Sequence, residues 1–236
     1  MTAQDWNPDL YLKYGKERTQ PSIDLASRII HAAPRAIIDI GCGPGNSTQI
    51  LAQRWPDAKI TGVDNSRTMI EKARRDFPEQ DWLLLDVGRD DIPGRYDIVY
   101  SNAAIQWIPG HAALLEKFHG ILIDSGLLAV QVPLPLDMPV GQAIRRTAAG
   151  EPWLSKMGEM GEVYTIHSAS FYYDRLSKLF SSVEMWQTDY MHCMPSHEAI
   201  IEMMRSTGLR PYLDRLAAEG DRQAFEAQML AELRKD

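Results

Sequence analysis

Between Ile37 and Thr48 the chain reads Ile-Ile-Asp-Ile-Gly-Cys-Gly-Pro-Gly-Asn-Ser-Thr, an apolar run of strand length that turns through three glycines straight into a helical pattern. Few stretches narrow a fold so far. Glycine has no Cβ, so such a turn lets a ligand lie directly against the backbone. The helix that follows offers its unpaired N–H groups and the positive end of its dipole. The stretch reads as a nucleotide-type binding loop.

The rest of the first half repeats the strand-helix rhythm. Strands are predicted over Ala36–Ile40, Lys59–Asp64, Trp82–Asp86, Tyr96–Ser101 and Leu127–Val132. Helices are predicted over Asn46–Arg54, from a Ser66 cap through Asp76, and over His111–Ile123. Alternation at these lengths predicts an α/β fold, a Rossmann-like, mostly parallel sheet with helices on both faces. The apolar runs Leu83–Leu85 and Leu127–Val130 suit strands buried on both sides. Upstream, Ser22 can cap a helix reaching His31, and residues 1–21 mix aromatics with charges as an arm or lid would.

The rhythm breaks at Pro133, Pro135 and Pro139. Val140–Ala149 and Ser168–Phe180 then read as helices, Val183–His192 has strand length, and Ser196–Ser206, Leu209–Ala218 and Asp221–Arg234 look helical. The predicted organisation is an arm (1–21), an α/β core (22–133), a cap insertion (134–182), a sixth core strand (183–194) and a C-terminal helical cap (195–236). Such a cap would lie over the carboxyl edge of the sheet, where open α/β sheets bind ligands.

Composition removes several alternatives. A formal net charge of -7 argues against nucleic acid as the main partner. Cys42 and Cys193 are far apart with no CxxC spacing, which favours neither a disulfide nor a metal site and makes a reducing cytoplasm the default. The polar N-terminus lacks the pattern of a signal peptide. No stretch approaches the roughly eighteen apolar residues that a membrane span needs.

The glycine spacing distinguishes between nucleotides. The dinucleotide fingerprint G-x-G-x-x-G places its third glycine where this chain has Asn46, and no Gly-Lys-Ser/Thr forms a P-loop. Asp64 at the end of the second predicted strand can accept both hydroxyls of a ribose. Asp86, at the end of the third, can accept an adenine's exocyclic amine. NAD would use Asp64 in the same way but leaves Asp86 without a task.

The pattern D-x-G-x-G-x-G resembles motif I of the class I S-adenosylmethionine-dependent methyltransferases. That resemblance implies S-adenosyl-L-methionine as cofactor, its amino-acid end held by the loop at Asp39, Gly41, Gly43 and Asn46. It also implies Asp64 as the ribose ligand and Asp86, with the Val87 backbone, as the adenine ligand. Asn65 and Met69 would flank the adenosine, Met69 having a competing role as an apolar helix position. Asn102 would face the cofactor from the fourth strand, and Trp6, Tyr11 and Tyr14 of the arm could fold over it.

The acceptor is read from what is missing. Ser101–Trp107 carries no Asn-Pro-Pro-Tyr, no Pro-Cys nucleophile and no His-Glu pair to deprotonate a hydroxyl. A carboxylate, with a pKa of about 4, needs no base at neutral pH. The phrases NPDLYLKY, WPDAKITGVD, SNAAIQW, FYYDRLS and MPSHEAIIEMMRSTGLRPYL resemble, over nearly the whole chain, the bacterial methyltransferases that esterify trans-aconitate. A small anionic tricarboxylate in an acidic protein demands a local set of guanidinium groups. Arg18, Arg210 and Arg145 or Arg146 are the candidates, against the ordinary alternative of solvated surface arginines. Tyr172 or Tyr173 could donate a hydrogen bond to a carboxylate, Trp107 could wall the methyl pocket, and His167 reads as a capping or surface residue. No metal is implied. Two other readings stay open, a methyltransferase for a different small acid and a non-catalytic cofactor-binding module. This fold ordinarily closes with an antiparallel seventh strand, whereas here Gln228–Asp236 is helical in pattern.

Overall fold

The computed structural model describes residues 15–158, 160–161 and 163–235, with side chains from Thr19 onward. The first helix, α1 (Gly15–Arg28), starts before Ser22 and carries Pro21 in its interior. Ser22 is therefore not a cap. It is buried against Tyr100 of the sheet, whose hydroxyl donates to the Ser22 carbonyl at 2.8 Å and lies 2.7 Å from the Ser22 hydroxyl. Burial of Leu25 and Ala26 on the same helix offsets the backbone hydrogen bond that proline forgoes.

There follow β1 (Ala36–Ile40), α2 (Asn46–Arg54), β2 (Lys59–Asp64), α3 (Arg67–Asp76), β3 (Asp81–Leu84), β4 (Tyr96–Asn102), a 3-10 turn at Ile105–Trp107, α4 (His111–Gly120) and β5 (Leu122–Gln131). The strands pair wholly in parallel, in the order β3-β2-β1-β4-β5. The winding direction reverses between β1 and β4, and a crevice at the strands' carboxyl ends is expected there. Alternate residues fill two cores. Ile37, Ile60 and Ile98 pack with Leu25, Leu51 and Trp55, while Ile38, Ile40, Val63 and Val99 pack with Leu114 and Phe118.

The outer strands differ from their prediction because they are edges. β3 stops at Leu84, which is 39% exposed, so Asp86 stands in the loop beyond it. β5 begins at Leu122, within the residues predicted to extend the preceding helix, and an irregularity opposite Tyr96 and Ile98 absorbs its extra length. Residues 183–192, predicted as the sixth strand, have no regular structure, and among the described residues no strand lies beyond β5. Nearly all their side chains are exposed, so no buried face fixes a register. Arg28 instead holds part of this stretch, lying 4.3 Å over the Trp186 ring and 3.4 Å from the Glu184 carboxylate.

Helices α5 (Pro139–Ala149), α6 (Trp153–Met157), α7 (Ala169–Leu179), α8 (His197–Arg205), α9 (Arg210–Leu213) and α10 (Glu219–Leu233) complete the described chain. They do not make one continuous cap. The chain divides into a unit of Gly15–Val132 with Tyr164–Asp189 and a second unit of residues 133–163 with 190–235. The predicted insertion 134–182 is thus split after Val163, and α7 belongs to the sheet's unit. The second unit has its own core of Ile144, Trp153, Leu209, Phe225 and Met229. Arg205 grips Glu226 there through two nitrogens at 2.7 and 2.6 Å. No described helix is long and apolar enough to cross a membrane.

Candidate functional site

The glycine loop is built over a buried acid. Asp39 is fully buried near the end of β1, and its Oδ2 accepts hydrogen bonds from the hydroxyls of Ser47 (2.6 Å) and Thr48 (2.7 Å). Helix α2 has no side-chain cap, because Gly45 occupies the cap position at φ 101°. Asp39 secures the first turn from below instead. Burial pushes its carboxyl up to about 6, although both hydroxyls pull the other way. Its Oδ1 is buried with no hydrogen-bond partner among the described residues.

The glycines of the loop divide by what a side chain would strike. A Cβ on Gly41 would fall 2.1 Å from the Cβ of Ala104, and one on Gly45 would lie 2.8 Å from the Trp82 ring. Both are demanded by packing, and Gly41 brings the loop into contact with the segment after β4. Gly43, at φ 55°, would meet nothing within 4 Å. It presents bare backbone to open space, as a ligand-facing glycine must. Asn46, the first residue of α2, is half-buried beside it.

The acidic strand ends join this loop. Asp64 Oδ2 accepts from the Gly43 N–H at 3.0 Å and Oδ1 from the Ser66 N–H at 2.8 Å. Burial raises the Asp64 carboxyl against these stabilising bonds. The carboxylate retains acceptor capacity for a further donor. Asp86 Oδ1 accepts from the Gly88 N–H at 3.0 Å, and its side chain is 38% exposed. Val87 is buried, and its carbonyl accepts from Lys117 at 3.0 Å, so α4 braces the loop. Asn65 is exposed, whereas Met69 is buried on the inner face of α3.

The segment after β4 is held in strain. Ala103 has φ 51°, a left-handed conformation that costs a residue with a Cβ roughly 1–2 kcal/mol. Its N–H donates to the backbone oxygen and side-chain Oε1 of Gln131 at 3.0 and 3.1 Å, and its carbonyl accepts from Gln106 Nε2 at 2.7 Å. Asn102 Oδ1 and Gln106 Oε1 are buried and lack partners among the described residues. Trp107 packs on Tyr164 with ring centroids 4.8 Å apart. His111 is fully buried. Its Nε2 lies 2.9 Å from the Ile105 carbonyl and must donate, so Nδ1 accepts from the Tyr172 hydroxyl at 2.7 Å. Burial lowers the imidazole's pKa, which keeps the ring neutral. Neither Gln106 nor His111 was singled out from the sequence. The available signals were a glutamine between Ile105 and Trp107 and a histidine opening a helix after Pro109-Gly110.

This unit therefore assembles Asp39, Gly41, Gly43, Asn46, Asp64, Asn65, Met69, Asp86, Val87, Asn102 and Trp107 along the carboxyl ends of adjacent strands. Buried acceptors without partners at β1 and β4 suit an ammonium, two carboxylates suit ribose hydroxyls and an amine, and Gly43 leaves room for the chain between. A pyrophosphate would meet the Asp39 carboxylate instead of a cation. The residues fit S-adenosylmethionine. Among the described residues, Arg146, Arg210 and Tyr172 do not join this set as expected. Trp6, Tyr11 and Tyr14 lie outside the described residues, as does the side chain of Arg18. Arg146 and Arg210 belong to the second unit, where each has a carboxylate 3.6 Å from its Nε, Glu232 and Asp214 respectively. The one proton of the Tyr172 hydroxyl is committed to His111, so it is not the carboxylate donor expected. His167 stacks on Phe171 at 3.9 Å, and the cap of α7 is Ser168.

Residues 37–126 match the family described as "Methyltransferase domain". The solved structure of coclaurine N-methyltransferase, bound to N-methylheliamine and SAH, shares the fold over 92% of this chain and 64% of its own, with a TM-score of 0.56 at 20% identity. The fold, the loop and the domain match agree with an S-adenosylmethionine-dependent methyltransferase of class I, and relatives about 40% identical to this chain establish it, which sets aside the nicotinamide reading. The trans-aconitate 2-methyltransferase of Methylobacterium radiotolerans is 41% identical over 218 residues, covering 91% of this chain and 84% of that protein. The one of Rhodopseudomonas palustris is 40% identical over 230 residues, covering 97% and 90%. The chain belongs to the trans-aconitate 2-methyltransferase family.

Proposed function

We propose that the protein transfers the methyl group of S-adenosylmethionine to a carboxylate oxygen of trans-aconitate, or of a closely related small tricarboxylate, forming a methyl ester. The observation that supports the reaction type is that, among the described residues, neither His111 nor Tyr172 beside the segment after β4 is available as a base. The imidazole that hydrogen-bonds the segment after β4, His111, has both nitrogens occupied, and the Tyr172 hydroxyl directs its proton at one of them in a hydrogen bond. An acceptor already ionised at neutral pH needs neither group. The relatives named for trans-aconitate supply the particular acid.

In this reading the Gly41–Asn46 loop, Asp39 and Asn102 hold the amino-acid end of the donor. Asp64 takes the ribose hydroxyls, Asp86 and Val87 the adenine, and Asn65 and Met69 flank it. The donor supplies an electrophilic methyl on a sulfonium. A carboxylate oxygen would attack that carbon in line as the carbon–sulfur bond breaks. The bond's electron pair would stay on sulfur, so that the neutral thioether S-adenosylhomocysteine leaves, and the enzyme would contribute orientation and proximity. Anion and cation neutralise one another, which a dry setting favours. Arg18, Arg146 and Arg210 are the cationic candidates for the free carboxylates. Arg146 and Arg210 would each exchange a carboxylate of their own unit for one of the substrate.

A methyl-transfer assay with labelled donor and trans-aconitate, cis-aconitate, citrate and isocitrate side by side tests this. Turnover should be highest with trans-aconitate, and the label should be released by mild alkali as methanol, as an ester requires. A flat response across the panel would remove the substrate. An alkali-stable label would remove the carboxyl chemistry.

A further inference from the structure

The segment carrying Asn102 and Trp107 is pinned at more points than a surface turn needs. Its strained Ala103 is held at both ends of its own residue, by Gln131 and by Gln106. The Gln106 carbonyl accepts from the Thr165 N–H at 2.9 Å, and Tyr164 packs on Trp107. His111 closes this arrangement, with the Ile105 carbonyl on one nitrogen and the Tyr172 hydroxyl on the other. The Tyr172 oxygen in turn accepts from the His167 N–H at 3.4 Å. His111 and Tyr172 are 61 residues apart in sequence, and their bond ties α7 to the turn after β4.

We propose that His111 and Tyr172 form a positioning pair, a neutral imidazole and a phenol that lock the turn at Ile105–Trp107 and so fix the acceptor side of the methyl-transfer site. Neither touches the reacting atoms. Their effect passes through the Ile105 carbonyl to Trp107 and through α7 to Tyr164. In-line displacement tolerates little error in the placement of the attacking oxygen. A backbone held left-handed at Ala103 keeps its conformation only while its surroundings overdetermine it. Removing one member of the pair loosens the acceptor side and leaves the donor loop, which rests on Asp39 and Asp64, as it was. The proposal rests on the reading that the turn after β4 faces the methyl acceptor.

The test compares wild type, Tyr172→Phe, His111→Gln and the double variant. Donor Kd is read by calorimetry, kcat and KM are read with trans-aconitate, and hydrogen exchange is read at the amides of residues 105–111. Tyr172→Phe keeps the ring and deletes one hydrogen bond. It should cut kcat/KM for the acceptor about tenfold, the scale of one hydrogen bond, with donor Kd unchanged, Tm lower by a few degrees at most and faster exchange over Ile105–Trp107. The double variant should be no worse than His111→Gln alone, since the two act as a unit. Wild-type acceptor kinetics and exchange in Tyr172→Phe would overturn the proposal, as would a matching loss of donor affinity, which marks general destabilisation. If His111→Gln fails to fold, Tyr172→Phe alone decides. If wild-type protein ignores trans-aconitate, the substrate assignment fails while exchange still decides whether the pair locks the turn.

Discussion

A methyl group added at Gly43 would enter open space, whereas one at Gly41 would strike the Cβ of Ala104. The two substitutions should therefore separate binding from folding. Gly43→Ala should cost roughly 1–2 kcal/mol through its positive φ and weaken donor binding tenfold or more, about 1.4 kcal/mol. Gly41→Ala should displace the segment after β4 and lose stability and binding together. Urea unfolding and calorimetry with the donor read both, and intact binding in Gly43→Ala would remove that glycine from the site. Asp39 carries a prediction in pH. Its carboxyl titrates at about 6 in the folded, donor-free protein, against about 3.9 in an unfolded chain. The folded state keeps a proton that the unfolded state has released between those values. This group's contribution is thus fully present below about pH 4 and declines by about 3 kcal/mol as pH rises to about 6. A cationic donor favours the ionised form, so donor affinity should strengthen as pH rises through about 6. Asp39→Asn should flatten both dependences, and unfolding curves and calorimetric titrations across that range would show it.

At the scale of elements, strain at the end of β4 is open to a direct test. Ala103→Gly permits φ 51° without a Cβ, so stability should rise by up to about 1 kcal/mol. Turnover should fall, because a glycine at this point lets the segment leave the conformation that Gln106 and Gln131 hold. Equal turnover in that variant would show that the left-handed residue has no part in catalysis. The elements around this point were legible in proportion to how local their causes are. β1, α2 and β2 fall at the predicted residues, because an apolar strand, a glycine turn and a helical period are all written within a dozen positions. Val183–His192 was misread because its β-type residues say nothing of whether a neighbouring strand exists to pair with them. The link from His111 to Tyr172 spans too much chain for spacing to reveal it. Gln106 stands out only through burial, which leaves its Oε1 without a partner among the described residues, whereas Asn102 is expected from its place after the fourth predicted strand.

For the whole molecule, the division into two units changes what the sequence suggested. Helices after Pro133 looked like one cap, yet α7 follows the sheet and the others share a separate core. Hydrophobic periodicity marks which face of a helix is buried but not which core it joins. Phe225 is fully buried in the second unit, so Phe225→Ala should cost about 3–5 kcal/mol. The described residues proposed to hold the donor all lie in the first unit, and donor affinity measured by calorimetry should persist where the variant remains folded. Loss of donor binding in a folded Phe225→Ala protein would contradict that separation. The indole of Trp82 also has a use beyond packing. It fills the space left by Gly62 and Gly45, its Nε1 donates to the Phe77 carbonyl at 2.9 Å, and only 6% of the residue is exposed. A buried chromophore pressed against the back of the donor loop should change its emission whenever that loop tightens around a ligand. Trp82 should then serve as an optical gauge of cofactor occupancy, read without a label as the signal lost in Trp82→Phe, and an emission unchanged on adding donor would remove that use.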